Sequence, residues 1–467
     1  MKILGILSQK SRQRIASHRL ICILLTILIF LFVTHDAVHA VPIIKVGIFL
    51  DCKEINIKGD KGLKVFEVST GENLLLQKNN NTVKIVAEKQ GIRINSQSFK
   101  TNRGIKIMPV ADGFLQVEGK KYRGNIEIIS NKSLLKVINV IELEKYLYGV
   151  LKLEISPNWP VEALRTQAIA ARTFALANMN KYIEQGFNLC ATTNSQEYGG
   201  ISCEHPATNK AVDDTRGIIA TYNGKPINAV YHSDCGGSTE NSEDVWGGYV
   251  PYLRSVYSDY EETVSPPNHQ WDYSLSEQEI IAKLAQSGHH FNKIREMIIA
   301  EKTETGRVKS VEIWGDNKKV TFKTNDFRLL VGPNLVRSSL FTMESIVCSR
   351  AEPVAQNNEL QVPNPEQEDS QKKVSDILKG DRDFTISELL ELLNRPKKMP
   401  EPKKSTKSKI IENSVDDTDL TVIFHGKGCG HGVGLSQWGA HGMAKLGFNY
   451  EEILKYYYKG IILTKLY

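Results

Sequence analysis

The hydrophobic pattern changes period near residue 140, and this switch limits the fold more than any other feature of the chain. From Val41 to about Leu135 the sequence is a string of short β-type runs, among them 44–50 (IKVGIFL), 82–86 (TVKIV) and 125–129 (NIEII). Turn-forming stretches such as Asn79-Asn80-Asn81 and Ala111-Asp112-Gly113 separate them, the signature of antiparallel strands joined by hairpins. From Leu143 the pattern is helical. Pro160 suits a first helical turn and predicts a helix to about Tyr182, with Val161, Leu164, Ala168, Ala171 and Ala175 along one face. The small alanines imply close packing. Strands return at 217–222 and 308–314, with a helix expected over Ser276–Gln286 between them. This order gives an α+β class, β-rich with a central helical segment, and argues against a doubly wound parallel sheet.

The N-terminus reads as an export signal. Lys2, Lys10, Arg12, Arg14 and Arg19 precede an apolar run from Leu20 to Val33, and Val38-His39-Ala40 follows as a cleavage site. The run is short of the roughly 20 residues that a spanning helix needs, so cleavage after Ala40 is favoured over permanent anchoring. No other stretch is apolar enough to cross a membrane. The expected location is therefore the periplasm or cell wall, with tethering at the membrane only if this segment is retained. Five basic residues and one acid leave with the signal, which lowers the net charge from +6 to about +2. A near-neutral chain gives no reason to expect nucleic acid, whose binding needs concentrated Lys and Arg.

The stretch from about Glu352 to Asp419 gathers Pro353, Pro363, Pro365, Pro396, Pro400 and Pro402 among many Lys, Glu, Ser and Asn, and reads as a mobile insertion. Within it, Ile386, Leu389, Leu390, Leu392 and Leu393 have the spacing of a short amphipathic helix, able to dock on a partner or on its own domain. The cysteines lie too far apart for a CxxC zinc ribbon or a small disulfide framework. Cys190 with Cys203 is one candidate disulfide, which spacing alone does not assign.

Three segments are rich in chemically capable residues. The first runs from Leu143 through Glu154-Ile155-Ser156-Pro157 into Ala170-Ala171-Arg172-Thr173. The second is 231–242 (YHSDCGGSTENS), followed by Asp244-Val245-Trp246-Gly247-Gly248. The third is 426–440 (GKGCGHGVGLSQWGA). Single motifs of this kind are weak: a Glu before a helix is usually a solvated or capping residue, and the glycine cluster lacks the strand and acid of a dinucleotide site. A serine-hydrolase reading of His232-Ser233 is poor, because adjacent residues seldom present nucleophile and base to each other.

Together and in order, the three segments resemble the SpoIID/LytB family, over roughly 41–350, including 327–332 (FRLLVG), and 424–467. The resemblance implies an α+β, SpoIID-like domain whose helical segment forms a substrate cleft. It divides the chain into a signal (1–40), a β-rich part (41–140), a core (141–350), the insertion (351–419) and the end of the core (420–467). It also implies a peptidoglycan lytic transglycosylase that cuts between N-acetylmuramic acid and N-acetylglucosamine in peptide-stripped glycan strands, with Glu154 as acid and then base. That role needs a raised pKa, which burial beside Leu153, Ile155 and Trp159 would supply. By position, Arg172, His232, Ser233, Thr239, Glu240, Asn241, His431, Ser436 and Gln437 become candidates for substrate binding. Arg172 offers a planar fork for a carboxylate, Gly236-Gly237 a close backbone approach, and the polar side chains donors and acceptors for sugar hydroxyls. Each has a plainer reading, as a surface arginine or a locally satisfied turn.

Some members of that family bind zinc in the region that here reads Glu184 to Ser195, but Cys190 alone remains of a plausible ligand set. Tetrahedral zinc needs several N or S ligands close together, so no metal or other cofactor is expected, and a metallohydrolase is the least favoured class. The family also includes amidase enhancers. The alternative to an enzyme is therefore a glycan-binding module that stimulates a cell-wall amidase.

Overall fold

A computed structural model of the chain describes residues 40–349 and 418–467, apart from Gln90, Asn102 and Lys132. The expected signal and nearly all of the expected insertion, with its amphipathic helix, lie outside the described residues. No described helix is long and apolar enough to cross a membrane. The described residues between Pro42 and Lys465 form one compact unit.

The α+β expectation holds. The first hundred residues of this unit, joined by one short later strand, build two sheets. One has seven strands in the order 189–190, 43–52, 134–142, 125–131, 105–109, 63–67, 73–77; the other has six, in the order 120–122, 115–117, 54–59, 83–88, 91–94, 97–99. Period-two alternation explains the burial: Ile55 and Ile57, Val83 and Ile85, Ile126 and Ile128, and Leu135 and Val137 all point inward and are buried. All but one of the strand pairs here are antiparallel. The exception is Leu189–Cys190, which joins the edge in parallel with Val46 and Gly47.

The strand 134–142 runs directly into helix α1 (Leu143–Glu154), whose Leu143, Tyr146, Leu147, Val150 and Leu151 are buried. Ile155 is extended and Ser156 precedes Pro157, a residue pair that disfavours further helix, so Glu154 becomes the last helical residue. Pro160 then caps α2 (Val161–Ala177). This helix stops about one turn before the expected Tyr182, where Asn178 returns its side chain to the Phe174 carbonyl at 2.9 Å. The expected inner face is right except at its start, since Val161 is 48% exposed while Ala163 and Leu164 are buried. Cys190 and Cys203 are separate thiols, so the candidate disulfide does not form.

The remaining α-helices among the described residues are α3 (Pro206–Asp214), α4 (Ser242–Trp246), α5 (Glu277–Gln286), α6 (Thr324–Val331), α7 (Gln437–Lys445) and α8 (Tyr450–Tyr457). Helix α5 matches its expected span, with a capping box between Ser276 and Glu279. Ile169 and Ala170 of α2 share a core with Ala440 and Met443 of α7 and Ile453 and Leu454 of α8. A separate core gathers Trp271, Leu275, Ile313, Phe327, Val422 and Phe424. It contains the hairpin of 341–349 and 418–427, antiparallel from Phe341 opposite Gly426 to Ser349 opposite Thr418.

One short pairing organises the site. Tyr231 and His232 lie parallel to Leu435 and Ser436, which brings the second and third sequence motifs side by side. Gly430 makes this possible: its φ is +109°, and a Cβ there would lie 2.7 Å from the His232 Cβ.

Candidate functional site

The end of α1 opens into a cleft of about 800 Å³. Glu154, His232, Ser233, His431 and Gln437 line it, so these five sequence candidates converge on one place. Glu154 is half-buried, and its carboxyl pKa is pushed up to about 7, first by loss of solvent and then by the charge of Glu197. Hydrogen bonding from the Tyr231 hydroxyl, the Glu197 backbone and Gln437 opposes that rise. The Glu197 N–H donates to Glu154 Oε1 at 3.4 Å.

A relay orients the phenol beside this acid. The Tyr146 hydroxyl donates to Gln196 Oε1 at 3.2 Å, and Gln196 Nε2 donates to the Tyr231 oxygen at 3.0 Å. With its oxygen accepting from Gln196, Tyr231 is left to donate its proton to Glu154. Both carboxyl forms are thus populated near neutral pH, and one donor is fixed upon the ionised form.

The histidines are neutral acceptors and packing groups. His232 Nδ1 meets the Val433 carbonyl at 3.1 Å, which requires the proton on Nδ1 and leaves Nε2 as a lone pair. Nε2 has no hydrogen-bond partner among the described residues, and burial holds this imidazole well below its ordinary pKa. Burial, with the charges of Arg328 and Arg307, pushes His431 down to about 4. Its Nδ1 accepts the Val433 N–H at 3.1 Å. The Gln437 amide acts on the Glu154 carboxyl and makes no other hydrogen bond through its nitrogen among the described residues. Trp159, before α2, and Trp438, in the first turn of α7, add apolar wall with ring centres 4.8 Å apart. Such faces stack on sugar rings, whose C–H bonds are apolar on one side.

The other candidates are elsewhere. Arg172 is 0% exposed, and all five of its N–H groups are used: on both Glu144 oxygens at 2.8 Å, on Val212 O at 3.0 Å, on Ile218 O at 3.1 Å and on Thr215 Oγ1 at 3.4 Å. It ties α1, α2 and α3 to the strand at 218–222 and does not reach the cleft. Thr239 is buried, its hydroxyl accepting the Val256 N–H at 2.8 Å; Asn241 Oδ1 accepts the Ser255 N–H at 3.0 Å. Ser436 caps α7 at Gly439 and donates to the buried Glu261 at 2.5 Å. Glu240 accepts from Thr303 at 2.6 Å and lines a second cavity. These four stabilise the loops that carry the cleft.

Glu197, Gln196, Tyr231 and Trp438 escaped sequence reasoning as site residues. Tyr231 and Trp438 stood inside the quoted motifs, but nothing in the spacing of Gln196 and Glu197 points to Glu154. In the region that resembles a zinc site, the Cys190 thiol lies 3.2 Å from Thr192 Oγ1 and 3.4 Å from Ser195 Oγ. Among the described residues no group of three or more His, Cys, Asp or Glu is placed to hold a metal ion, so the donors present do not fit zinc.

The profile of a family described as Stage II sporulation protein matches residues 131–222, which carry α1, Glu154 and α2; a domain of unknown function matches 252–357. An uncharacterized protein of Brachyspira hyodysenteriae is 30% identical over 408 residues, covering 87% of this chain and 88% of that protein. The amidase enhancer of Bacillus subtilis is 28% identical over 381 residues, 80% of this chain but 48% of its own, so the chain spans about half of that relative. Stage II sporulation protein D of Bacillus subtilis is 26% identical over 340 residues, 70% of this chain and 75% of its own.

Proposed function

The chain belongs to the SpoIID family, and on that premise we propose that it remodels the cell wall as a lytic transglycosylase acting on peptide-stripped glycan strands outside the cytoplasm. The observation that carries this reading is the half-buried Glu154, whose pKa near 7 suits a group that gives up and recovers a proton in one turnover. In the first half, the Glu154 acid protonates the glycosidic oxygen as its bond to C1 of N-acetylmuramic acid breaks. The leaving sugar departs as an alcohol. In the second half, the Glu154 carboxylate takes the proton from the 6-hydroxyl of the same muramic residue as O6 bonds to C1. The product is a 1,6-anhydro ring, water is not consumed, and the carboxyl ends protonated as it began.

Other parts of the cleft support the same chemistry. Tyr231 stabilises the carboxylate after proton loss, Trp159 and Trp438 offer apolar faces, and His232 Nε2 and Gln437 Nε2 offer one acceptor and one donor for hydroxyl or acetamido groups. The likeness to the amidase enhancer supports a second reading, in which the same cleft grips glycan and stimulates a separate amidase. Incubating the purified protein with peptide-stripped glycan and scoring anhydro-muramic ends by mass spectrometry separates the two. Binding without any such ends would leave the enhancer reading standing alone.

A further inference from the structure

Beside the main cleft lies a second cavity of about 380 Å³, and His431 and Asn325 line both. Two arginines in its wall are nearly sealed from solvent, Arg307 at 1% exposure and Arg328 at 7%. Burying a guanidinium is costly unless a carboxylate compensates, yet neither arginine forms a salt bridge among the described residues. Arg307 donates to the Cys235 and Ser238 carbonyls and, at 3.4 Å, to Ser339 Oγ. Its Nε has no partner among the described residues. Arg328 donates to the Val336 and Arg337 carbonyls at 2.9 and 2.6 Å, with no hydrogen bond from Nη1 among the described residues.

The acids nearby already have partners, although the charges of Glu240, Asp234 and Glu261 also act on Arg307. Glu243 pairs with Arg254, and Lys309 pairs with Glu301 at 2.9 Å and reaches Asp244 at 3.9 Å. Glu240 accepts from Thr303, Thr305 and the Asn241 N–H. The same cavity receives the start of α6, where Thr324 and Asn325 stand at the positive end of the helix and no side chain caps it. Thr324 is 4% exposed, and its hydroxyl is also without a partner among the described residues. Unused donors, two guanidinium charges and a helix N-terminus therefore converge.

We infer that this second cavity is an anion subsite in which Arg307, Arg328 and Thr324 take a carboxylate carried by the glycan, next to the sugar held over Glu154. The choice of ligand rests on the proposed function; the anion preference does not. On a peptidoglycan strand the carboxylate has two sources, the lactyl group of N-acetylmuramic acid once its peptide is removed, or a carboxyl of an attached peptide. In either case the planar guanidinium fork and the hydroxyl satisfy both carboxylate oxygens.

The test is a ligand-observed NMR titration of the full chain with N-acetylmuramic acid, N-acetylglucosamine and muramyl dipeptide, whose lactyl carboxyl is an amide. We expect an acidic sugar to bind about tenfold or more tightly than N-acetylglucosamine. Arg328→Met should erase that preference and leave the neutral sugar unaffected. Thr324→Val, a milder change within α6, should reduce it several-fold with the fold intact. Tighter binding of N-acetylmuramic acid assigns the anion to the lactyl group, and tighter binding of muramyl dipeptide assigns it to the peptide. Equal binding of neutral and acidic sugars, or a preference indifferent to both variants, overturns the subsite. A preserved preference with no anhydro product from glycan strands overturns the transglycosylase reading and leaves the subsite in place.

Discussion

The backbone N–H of Glu197 donates to Glu154 Oε1 while the Glu197 carboxylate raises the pKa of that same acid. One residue thus supplies both a hydrogen bond that favours the charged form and a charge that opposes it. Glu197→Gln removes only the second, so the Glu154 pKa should fall. The alkaline limb of kcat/KM against pH should move toward acid, each unit of displacement costing about tenfold in protonated acid above the pKa. An unmoved limb would show that Glu197 does not tune Glu154.

Glu154→Gln keeps the size of the side chain and one acceptor oxygen but has no acidic proton to give. Formation of anhydro ends should drop by about 10²- to 10⁴-fold, while glycan retention in a pull-down stays near wild type. Equal loss of both would mean that Glu154 mainly holds the substrate.

Arg172 and Glu144 form a buried pair with every guanidinium donor satisfied. Arg172→Met removes the guanidinium from which both Glu144 oxygens accept, which costs about 3–5 kcal/mol and should lower the thermal midpoint sharply. Arg172→Lys should rescue little, because an ammonium cannot reproduce five planar contacts. Protein that remains folded should retain its cleavage rate, which a substrate-binding arginine would not allow.

His441 is 8% exposed and stacks on Trp159 with ring centres 4.6 Å apart. Burial, with Lys445 nearby, pushes its pKa down to about 4. Between that value and the ordinary histidine pKa the unfolded chain binds a proton that the folded chain does not, so stability falls as pH drops from about 6.5 toward 4. Glu154, with its raised pKa, contributes in the opposite direction. The comparison is therefore between wild type and His441→Gln: thermal midpoints from pH 7 to pH 5 should decline less in the variant.

Much of this was legible in the residues. Period-two runs locate the strands of the first sheets, Pro160 marks the start of α2, and the expected helix over Ser276–Gln286 is α5. Glu154 was found through motif order, since a carboxyl before a proline-opened helix has no distinctive chemistry of its own. Arg172 was misplaced for a physical reason: its partner Glu144 lies 28 residues earlier, and helical spacing says which face a residue takes but not what that face meets. Glu197 was invisible because it reaches the site only through tertiary folding. The meeting of His232 and His431 depends on a two-residue parallel pairing across some 200 positions, a contact no local pattern encodes.

The hairpin that ends with Ser349 opposite Thr418 acts as a splice point. Its two strands are zipped by their own register and by the core around Phe424 and Trp271, so their ends stay together whatever length of chain joins them. Closure entropy grows only with the logarithm of that length, about 0.6 kcal/mol for each doubling. A change in the length of chain between Ser349 and Thr418 therefore costs little closure entropy, and the register that holds those two ends side by side does not depend on it.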